Sequence, residues 1–261
     1  MADSTGGTGP DRAVAAHALA CLDLTNLSEG CDAAQVDALC ARADTPHGPV
    51  AAVCLWPRFV AQARRLLGPG ERIRIATVVN FPGGDGAVPD VVAEARTAVA
   101  AGADEIDLVI PYRALMAGDG AAVDGMVAAV RDTCPSALLK TILETGVLHD
   151  EARIAEGARR AIAAGADMLK TSTGKVPVNA TLEAAAILLG AARDAGRPVG
   201  FKAAGGIGTT ALAGRYLALA DGIMGPGWAG PATFRFGASS LLDDLLAVLD
   251  GRTSGGPAAG Y

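Results

Sequence analysis

Ala98-Val-Ala-Ala-Gly-Ala-Asp104 and Ala161-Ile-Ala-Ala-Gly-Ala-Asp167 are one joint written twice. In each copy an alanine-rich helical pattern ends on a glycine, which takes a left-handed cap at no steric cost, and a strand-like run follows at once. Those runs are Glu105–Pro111 and Met168–Thr173. Working outward, six more short runs, apolar or β-branched and bounded by Gly, Pro or Asp, read as strands. They are Ala20–Thr25, Val50–Trp56, Ile73–Phe81, Ala137–Thr145, Val199–Ala204 and Thr233–Ala238. Helical patterns lie between them, clearest over Val91–Ala101, Val123–Asp132, Glu151–Ala164, Thr181–Asp194, Thr209–Ala220 and Ser240–Leu249. A joint repeated two units apart is what a βα repeat produces, and eight units predict an α/β protein of the (β/α)8 TIM-barrel type. A doubly wound open sheet is the alternative that alternation leaves open. A single barrel domain is expected over residues 13–250, between polar, glycine-rich tails at 1–12 and 251–261 that read as disordered.

Half of the 261 residues are apolar and 19% are charged, which gives a globular chain with ample core. The net charge of −6 argues against a nucleic-acid partner or an anionic membrane surface and favours small-molecule substrates. No signal peptide and no bilayer-length apolar stretch is visible, so a cytoplasmic protein is expected. The five cysteines form no CxxC pair and read as free thiols in a reducing compartment. The three histidines form no HxH or HExxH, so no histidine-built metal site is expected.

Lysine is nearly absent: four residues, Lys140, Lys170, Lys175 and Lys202, against eighteen arginines. An arginine bias from base composition accounts for the scarcity but not for the positions. Lys140, Lys170 and Lys202 lie inside apolar runs, on strands five, six and seven, where a charge is rarely buried without a partner or a purpose. A buried lysine can lose its proton and attack a carbonyl; arginine cannot. Two ammonium groups held together depress each other's pKa, so one lysine would be nucleophile and its neighbour the perturber. Asp107 on strand four and Asp23 on strand one are carboxylates in equally apolar settings, able to move protons or simply to form ion pairs.

A second constellation suits an anion. Ala204-Gly205-Gly206-Ile-Gly208-Thr209 follows strand seven, and Arg235-Phe-Gly237-Ala-Ser239-Ser240 spans the end of strand eight; each opens a helix. Glycine lets backbone N–H groups approach phosphate oxygens, and loops after strands seven and eight are the usual phosphate site of this fold. Ser172-Thr173-Gly174-Lys175 after strand six adds hydroxyls and the fourth lysine.

At these motifs the chain resembles the class I 2-deoxy-D-ribose-5-phosphate aldolases. The matching stretches are Leu22-Asp-Leu-Thr25, Val53-Cys-Leu-Trp-Pro-Arg-Phe59, Arg74-Ile-Ala-Thr-Val-Val-Asn-Phe-Pro82, Gly102-Ala-Asp-Glu-Ile-Asp107 with Pro111-Tyr-Arg-Ala-Leu-Met-Ala-Gly118, Leu139-Lys-Thr-Ile-Leu-Glu-Thr145, Leu169-Lys-Thr-Ser-Thr-Gly-Lys175, Gly200-Phe-Lys-Ala-Ala-Gly-Gly206 and Arg235-Phe-Gly-Ala-Ser-Ser240. They cover nearly the whole folded region in order. The resemblance implies a cofactor-free lyase and a homo-oligomer, dimer or tetramer. It implies Lys170 as the Schiff-base residue, Lys202 as the lysine that perturbs it, and Asp107 as proton donor and acceptor. Asp23 and Lys140 match the rest of the catalytic network. Thr173, Gly174, Lys175, Gly205, Gly206, Gly237, Ser239 and Ser240 match the phosphate site, and Cys54 a cysteine beside the substrate pocket, although a small core residue is its plainer reading. Tyr261 matches a terminal tyrosine thought to assist the proton step.

Two departures stand out. Gly208 replaces a basic residue common in relatives, which predicts weaker discrimination in favour of phosphorylated acceptors. Asn26 stands where threonine or serine is common, with little effect expected. The rival readings are a pyridoxal-phosphate enzyme, which would show an aldimine absorbance band; a metal-dependent aldolase, which EDTA would inhibit; and a non-catalytic sugar-phosphate binding barrel.

Overall fold

The computed structural model describes residues 9–69 and 72–252. Eight parallel strands alternate with helices: β1 (Leu22–Asn26), β2 (Ala52–Leu55), β3 (Arg74–Val79), β4 (Glu105–Val109), β5 (Leu138–Ile142), β6 (Met168–Lys170), β7 (Gly200–Ala204) and β8 (Phe234–Ala238). Each pairs with its sequence neighbours, and β1 pairs with both β2 and β8, so the sheet closes. Closure excludes the open doubly wound sheet and makes the fold a (β/α)8 barrel. The helices are α1 (Gly9–Ala20), α2 (Ala33–Ala43), α3 (Val60–Leu67), α4 (Val88–Ala100), α5 (Tyr112–Met116), α6 (Ala121–Thr133), α7 (Thr145–Leu148), α8 (Glu151–Ala163), α9 (Leu182–Arg193), α10 (Thr210–Met224) and α11 (Leu241–Leu249). Helix α1 starts at Gly9, inside the stretch 1–12 expected as a tail, and packs against α10 and α11; the rest of both expected tails, apart from Gly251 and Arg252, lies outside the described residues. None of these helices is long and apolar enough to cross a membrane.

The repeated joint does the same work in both copies. Gly102 and Gly165 sit at φ +105° and +106°. Behind each, the next N–H reaches back into the last helical turn, Ala103 to the Ala98 carbonyl and Ala166 to that of Ala161. The closing aspartate then accepts the N–H at the foot of the preceding strand. Asp104 takes Ile75 N at 2.8 Å and Asp167 takes Leu139 N at 2.8 Å. Arg64 and Arg131 lock them at 2.6 and 2.7 Å, their stems lying over the cap glycines.

Side chains on a strand alternate between faces, and the buried residues divide accordingly. Leu22, Leu24, Val53, Ile75, Ile106, Leu108, Leu139, Leu169, Phe201, Phe234 and Phe236 belong to the large core between strands and helices. Phe234 packs edge-on against Phe201 and Phe236, with ring centroids 5.5 and 4.8 Å apart. Inside the barrel, Leu27, Ala52, Cys54, Ala76 and Val78 form a separate apolar cluster on the β1–β3 side. The charged residues that point inward come chiefly from the other strands, β4 to β8.

Candidate active site

Alternation puts a charged residue inside wherever a strand reads apolar–charged–apolar. Asp23, Glu105, Asp107, Lys140, Lys170, Lys202 and Arg235 all project into the barrel, and none is more than 5% exposed. Asp107 is the hub. Its Oδ1 accepts from Lys140 Nζ at 2.7 Å, and its Oδ2 accepts from both Lys170 and Lys202 at 2.8 Å. Lys202 also donates to Asp23 Oδ2. Lys140 reaches Glu105 Oε2 at 2.6 Å and Asp23 at 3.6 Å. Arg235 closes the ring from below, with Nη1 on Asp23 Oδ1 at 2.6 Å and both terminal nitrogens on Glu105, at 2.8 and 3.1 Å.

Four cations face three carboxylates, so a fully charged ring carries one proton too many. The lysines differ in how they are held. Among the described residues, Lys140 has three carboxylates within 4 Å, Lys202 two, and Lys170 only Asp107. Burial opposes the charge on all three. At Lys202 the carboxylates of Asp107 and Asp23 outweigh it and raise the pKa well above the usual lysine value. At Lys140, Asp107 and Glu105 also outweigh burial, and the pKa is raised. At Lys170 burial, with the neighbouring charge of Lys202, prevails over Asp107 and the pKa falls. Mutual depression of the two ammonium groups, expected from the sequence, is therefore one-sided: Lys202 is held charged and Lys170 gives way. Asp107 is buried too, yet three ammonium groups keep its pKa well below the carboxylate range. Lys202, Arg235 and Lys140 hold that of Asp23 low in the same way. At rest Asp107 is thus a proton acceptor.

Lys170 is the last residue of β6, and its amine opens into a narrow pocket at the carboxyl ends of the strands. Thr25, Leu27, Thr173, Gly174, Lys175, Ala204, Gly205 and Gly237 line it. The β6 loop is held by Glu144, which sits left-handed at φ 55°, fully buried at the end of β5. Its carboxylate accepts Thr173 N at 3.1 Å and the Thr173 hydroxyl at 2.5 Å, and the hydroxyl oxygen in turn accepts Lys175 N at 3.0 Å. Gly205 has φ +85°, and a Cβ there would lie 2.7 Å from the Asn179 side chain. Gly237 leaves room for Lys202, whose Cε would be 2.9 Å from an added Cβ. Gly208 is within 3.4 Å of Ser240 Oγ on the same measure, so the β7 and β8 loops adjoin. Cys54 is fully buried in the inner apolar cluster, its thiol pKa raised by that burial. Asn26 ends β1 and accepts from Ser28 at 2.8 Å. Tyr261 lies outside the described residues.

The structure thus brings Lys170, Lys202, Asp107, Asp23 and Lys140 into one network and sets Thr173, Gly174, Lys175, Gly205 and Gly237 around its mouth. Gly206, Ser239 and Ser240 stand on the adjoining loops, with Ser240 immediately before α11. Glu105, Arg235 and Glu144 were not singled out from the sequence as members of this site. A wider cavity of about 860 Å3 lies at the opposite, amino-terminal end of the barrel, bordered by His47, Arg74, Asp104, Arg131 and the undersides of Glu105 and Arg235.

Residues 9–244 match the model of the DeoC/LacD family aldolases. The chain is 60% identical over 251 residues to the deoxyribose-phosphate aldolase of Agrobacterium fabrum, covering 96% of this chain and 97% of that protein. Among solved structures, an apo crystal structure of a Toxoplasma gondii ME49 protein assigned to the same enzyme superposes with a TM-score of 0.86 at 27% identity, covering 93% of this chain and 99% of the other. A tetrameric deoxyribose phosphate aldolase of Aeropyrum pernix superposes at 0.70 and 26% identity, covering 92% of each.

Proposed function

The chain belongs to the DeoC/LacD aldolase family, and from that premise we propose that it cleaves 2-deoxy-D-ribose 5-phosphate reversibly to D-glyceraldehyde 3-phosphate and acetaldehyde through a Schiff base on Lys170. The placing of Lys170 carries the assignment of the nucleophile: among the described residues it is the lysine of the ring with a single carboxylate partner, and it stands at the pocket, in keeping with its lowered pKa.

The neutral amine of Lys170 attacks the aldehyde carbon of the open-chain sugar, and loss of water from the carbinolamine gives an iminium ion. Asp107, ionised at rest, accepts the proton of the 3-hydroxyl, directly or through water. The C2–C3 bond breaks, its electron pair flows into the iminium as an enamine, and glyceraldehyde 3-phosphate departs. Asp107, now protonated and beside Lys202, returns that proton to the terminal enamine carbon. Hydrolysis frees acetaldehyde and the amine. Asp23 and Lys140 keep Asp107 and Lys202 in register. Thr173, Gly174, Lys175, Gly205, Gly206, Gly237, Ser239 and Ser240 receive the phosphate, by loop N–H groups and the Lys175 charge. The reading includes a homo-oligomer, supported by the tetrameric relative, and a cytoplasmic location, supported by five unpaired buried cysteines.

Borohydride trapping tests it. Reduction in the presence of acetaldehyde, digestion and mass analysis should place a two-carbon adduct on Lys170. An adduct on Lys140 or Lys202, or none in folded protein, refutes the assignment.

A further inference from the structure

Why does the surplus proton leave Lys170 rather than Lys140, which is just as buried? The difference lies beneath the lysines. Glu105 opens β4 two residues before Asp107, so both carboxylates face inward on one strand. Arg235 on β8 grips Glu105 with both terminal nitrogens, a fork that fixes the carboxylate in place. From that fixed position Oε2 holds Lys140 Nζ at 2.6 Å. Arg235 cannot surrender its proton, so it is a constant charge in the ring, and only lysines can shed the surplus.

We propose that Glu105, clamped by Arg235, is a positioning residue for the aldol reaction: it keeps Lys140 an ammonium and so leaves Lys170 as the amine that gives up its proton. The inference rests on the aldolase reading of the same site. The groups facing the two lysines are Asp23 on β1, Cys54 on β2, Glu105 and Asp107 on β4, Lys202 on β7 and Arg235 on β8, with Glu144 and Lys175 beside the mouth. On β3 the inward residues Ala76 and Val78 add no charge, and Arg74, at the same register, borders the cavity beneath Glu105 and Arg235. Taking away Glu105 removes the closest carboxylate of Lys140 and leaves four cations facing two anions. Lys140 must then compete with Lys170 for the neutral state.

The lysine-poor sequence makes this readable. Protein labelled with 15N-lysine has four Nζ sites, each reporting ammonium or amine. On raising the pH, Lys170 should lose its proton before Lys140 and Lys202. In Glu105→Gln the Lys140 midpoint should fall by about one unit or more, and further than that of Lys170, so that the gap between the two midpoints narrows. A purely structural residue would lower kcat and Tm without moving either midpoint; unmoved midpoints in folded Glu105→Gln overturn the proposal. Glu105→Gln/Lys140→Met removes one charge of each sign and leaves no unmatched ion. It should return the Lys170 midpoint to within about half a unit of the parent, and a displacement beyond about one unit overturns the charge argument even if the single variant does not fold. Failure of the aldolase reading would appear separately, as trapping that finds no adduct on Lys170 whatever the midpoints do.

Discussion

Replacing Lys202 by methionine tests the electrostatic reading of the site most directly. Lys170 and Lys202 share one oxygen of Asp107 at 2.8 Å each, so their nitrogens are at most about 5.6 Å apart, twice that distance. Two unit charges roughly 5 Å apart at an effective dielectric of about 20 repel by about 3 kcal/mol. Removing one lifts the Lys170 pKa by about two units, at 1.36 kcal/mol per unit. At a fixed pH on the acid limb the neutral fraction of Lys170 then falls about 100-fold, and kcat/KM falls at least as far. The sign sets the pH dependence: the acid limb should move up by about two units, and activity should recover partly as the pH is raised. Steady-state cleavage of deoxyribose 5-phosphate across the pH range reads this. The variant also leaves Asp23 and Asp107 short of a partner, at a cost of about 3 kcal/mol or more, so Tm is measured alongside. An activity loss with an unmoved acid limb, in folded protein, would show that Lys202 acts only as a proton carrier and refute its role as perturber.

Lys170→Arg keeps a cation beside Asp107 but no nucleophile; turnover should fall below about one part in 10,000 with Tm within a few degrees, and residual activity above that moves the nucleophile elsewhere. Gly205→Ala forces a Cβ to φ +85° against Asn179, and a loss of about 2 kcal/mol or more is expected by denaturant titration, with KM for the phosphorylated substrate raised more than that for unphosphorylated deoxyribose. Gly208→Arg has space, since an added Cβ meets only Ser240 Oγ at 3.4 Å, and a guanidinium there should raise the ratio of phosphorylated to unphosphorylated turnover about tenfold; an unchanged ratio removes the argument from the missing charge. Asp23 and Asp107 have depressed folded-state pKa values, so their stabilisation is present above the unfolded carboxylate pKa near 4 and is lost as pH falls toward the folded values. Asp23→Asn should flatten the acid arm of Tm against pH.

All eight strands were legible because each is a short apolar run broken by punctuation, and the twin joints fixed their repeat. Their ends were less so. The fifth strand stops at Ile142 rather than Thr145 because Glu144 turns left-handed to hold Thr173, a tertiary demand that no local pattern announces. Helix α2 is not among the clearest helical patterns, although Asp32-Ala-Ala-Gln35 spells its capping box, which forms as written. Glu105 escaped notice because it sits at a strand edge beside Asp104, where a solvent boundary is the natural reading. The usable signal was its spacing of two from Asp107, which puts both inside. Arg235 was read with the phosphate loop that follows it, yet Phe234-Arg235-Phe236 carries the same apolar–charged–apolar signature as the lysine strands. The sign of the Lys202 shift was out of reach for another reason: it depends on how many carboxylates each amine meets, and only barrel closure decides that.

The ring is costly to fold, and its design follows from that cost. Buried ions lose several kcal/mol of hydration each, and a well-packed apolar interior of the same volume is often the more stable choice. The barrel uses that choice where chemistry is not needed, filling the β2 and β3 side with Ala52, Cys54, Ala76 and Val78. On the other side it accepts seven charged groups and pairs them so closely that each carboxylate meets at least two cations. Complete pairing would make the ring inert. The surplus of one cation keeps it reactive, because one proton has no carboxylate to retain it and the lysine nearest the pocket gives it up. Arginine at all four cationic positions would pair as well and catalyse nothing. Lysine at all four would leave the surplus free to settle elsewhere. Three lysines above one arginine confine the loss to a lysine, and the carboxylates then select Lys170 among them.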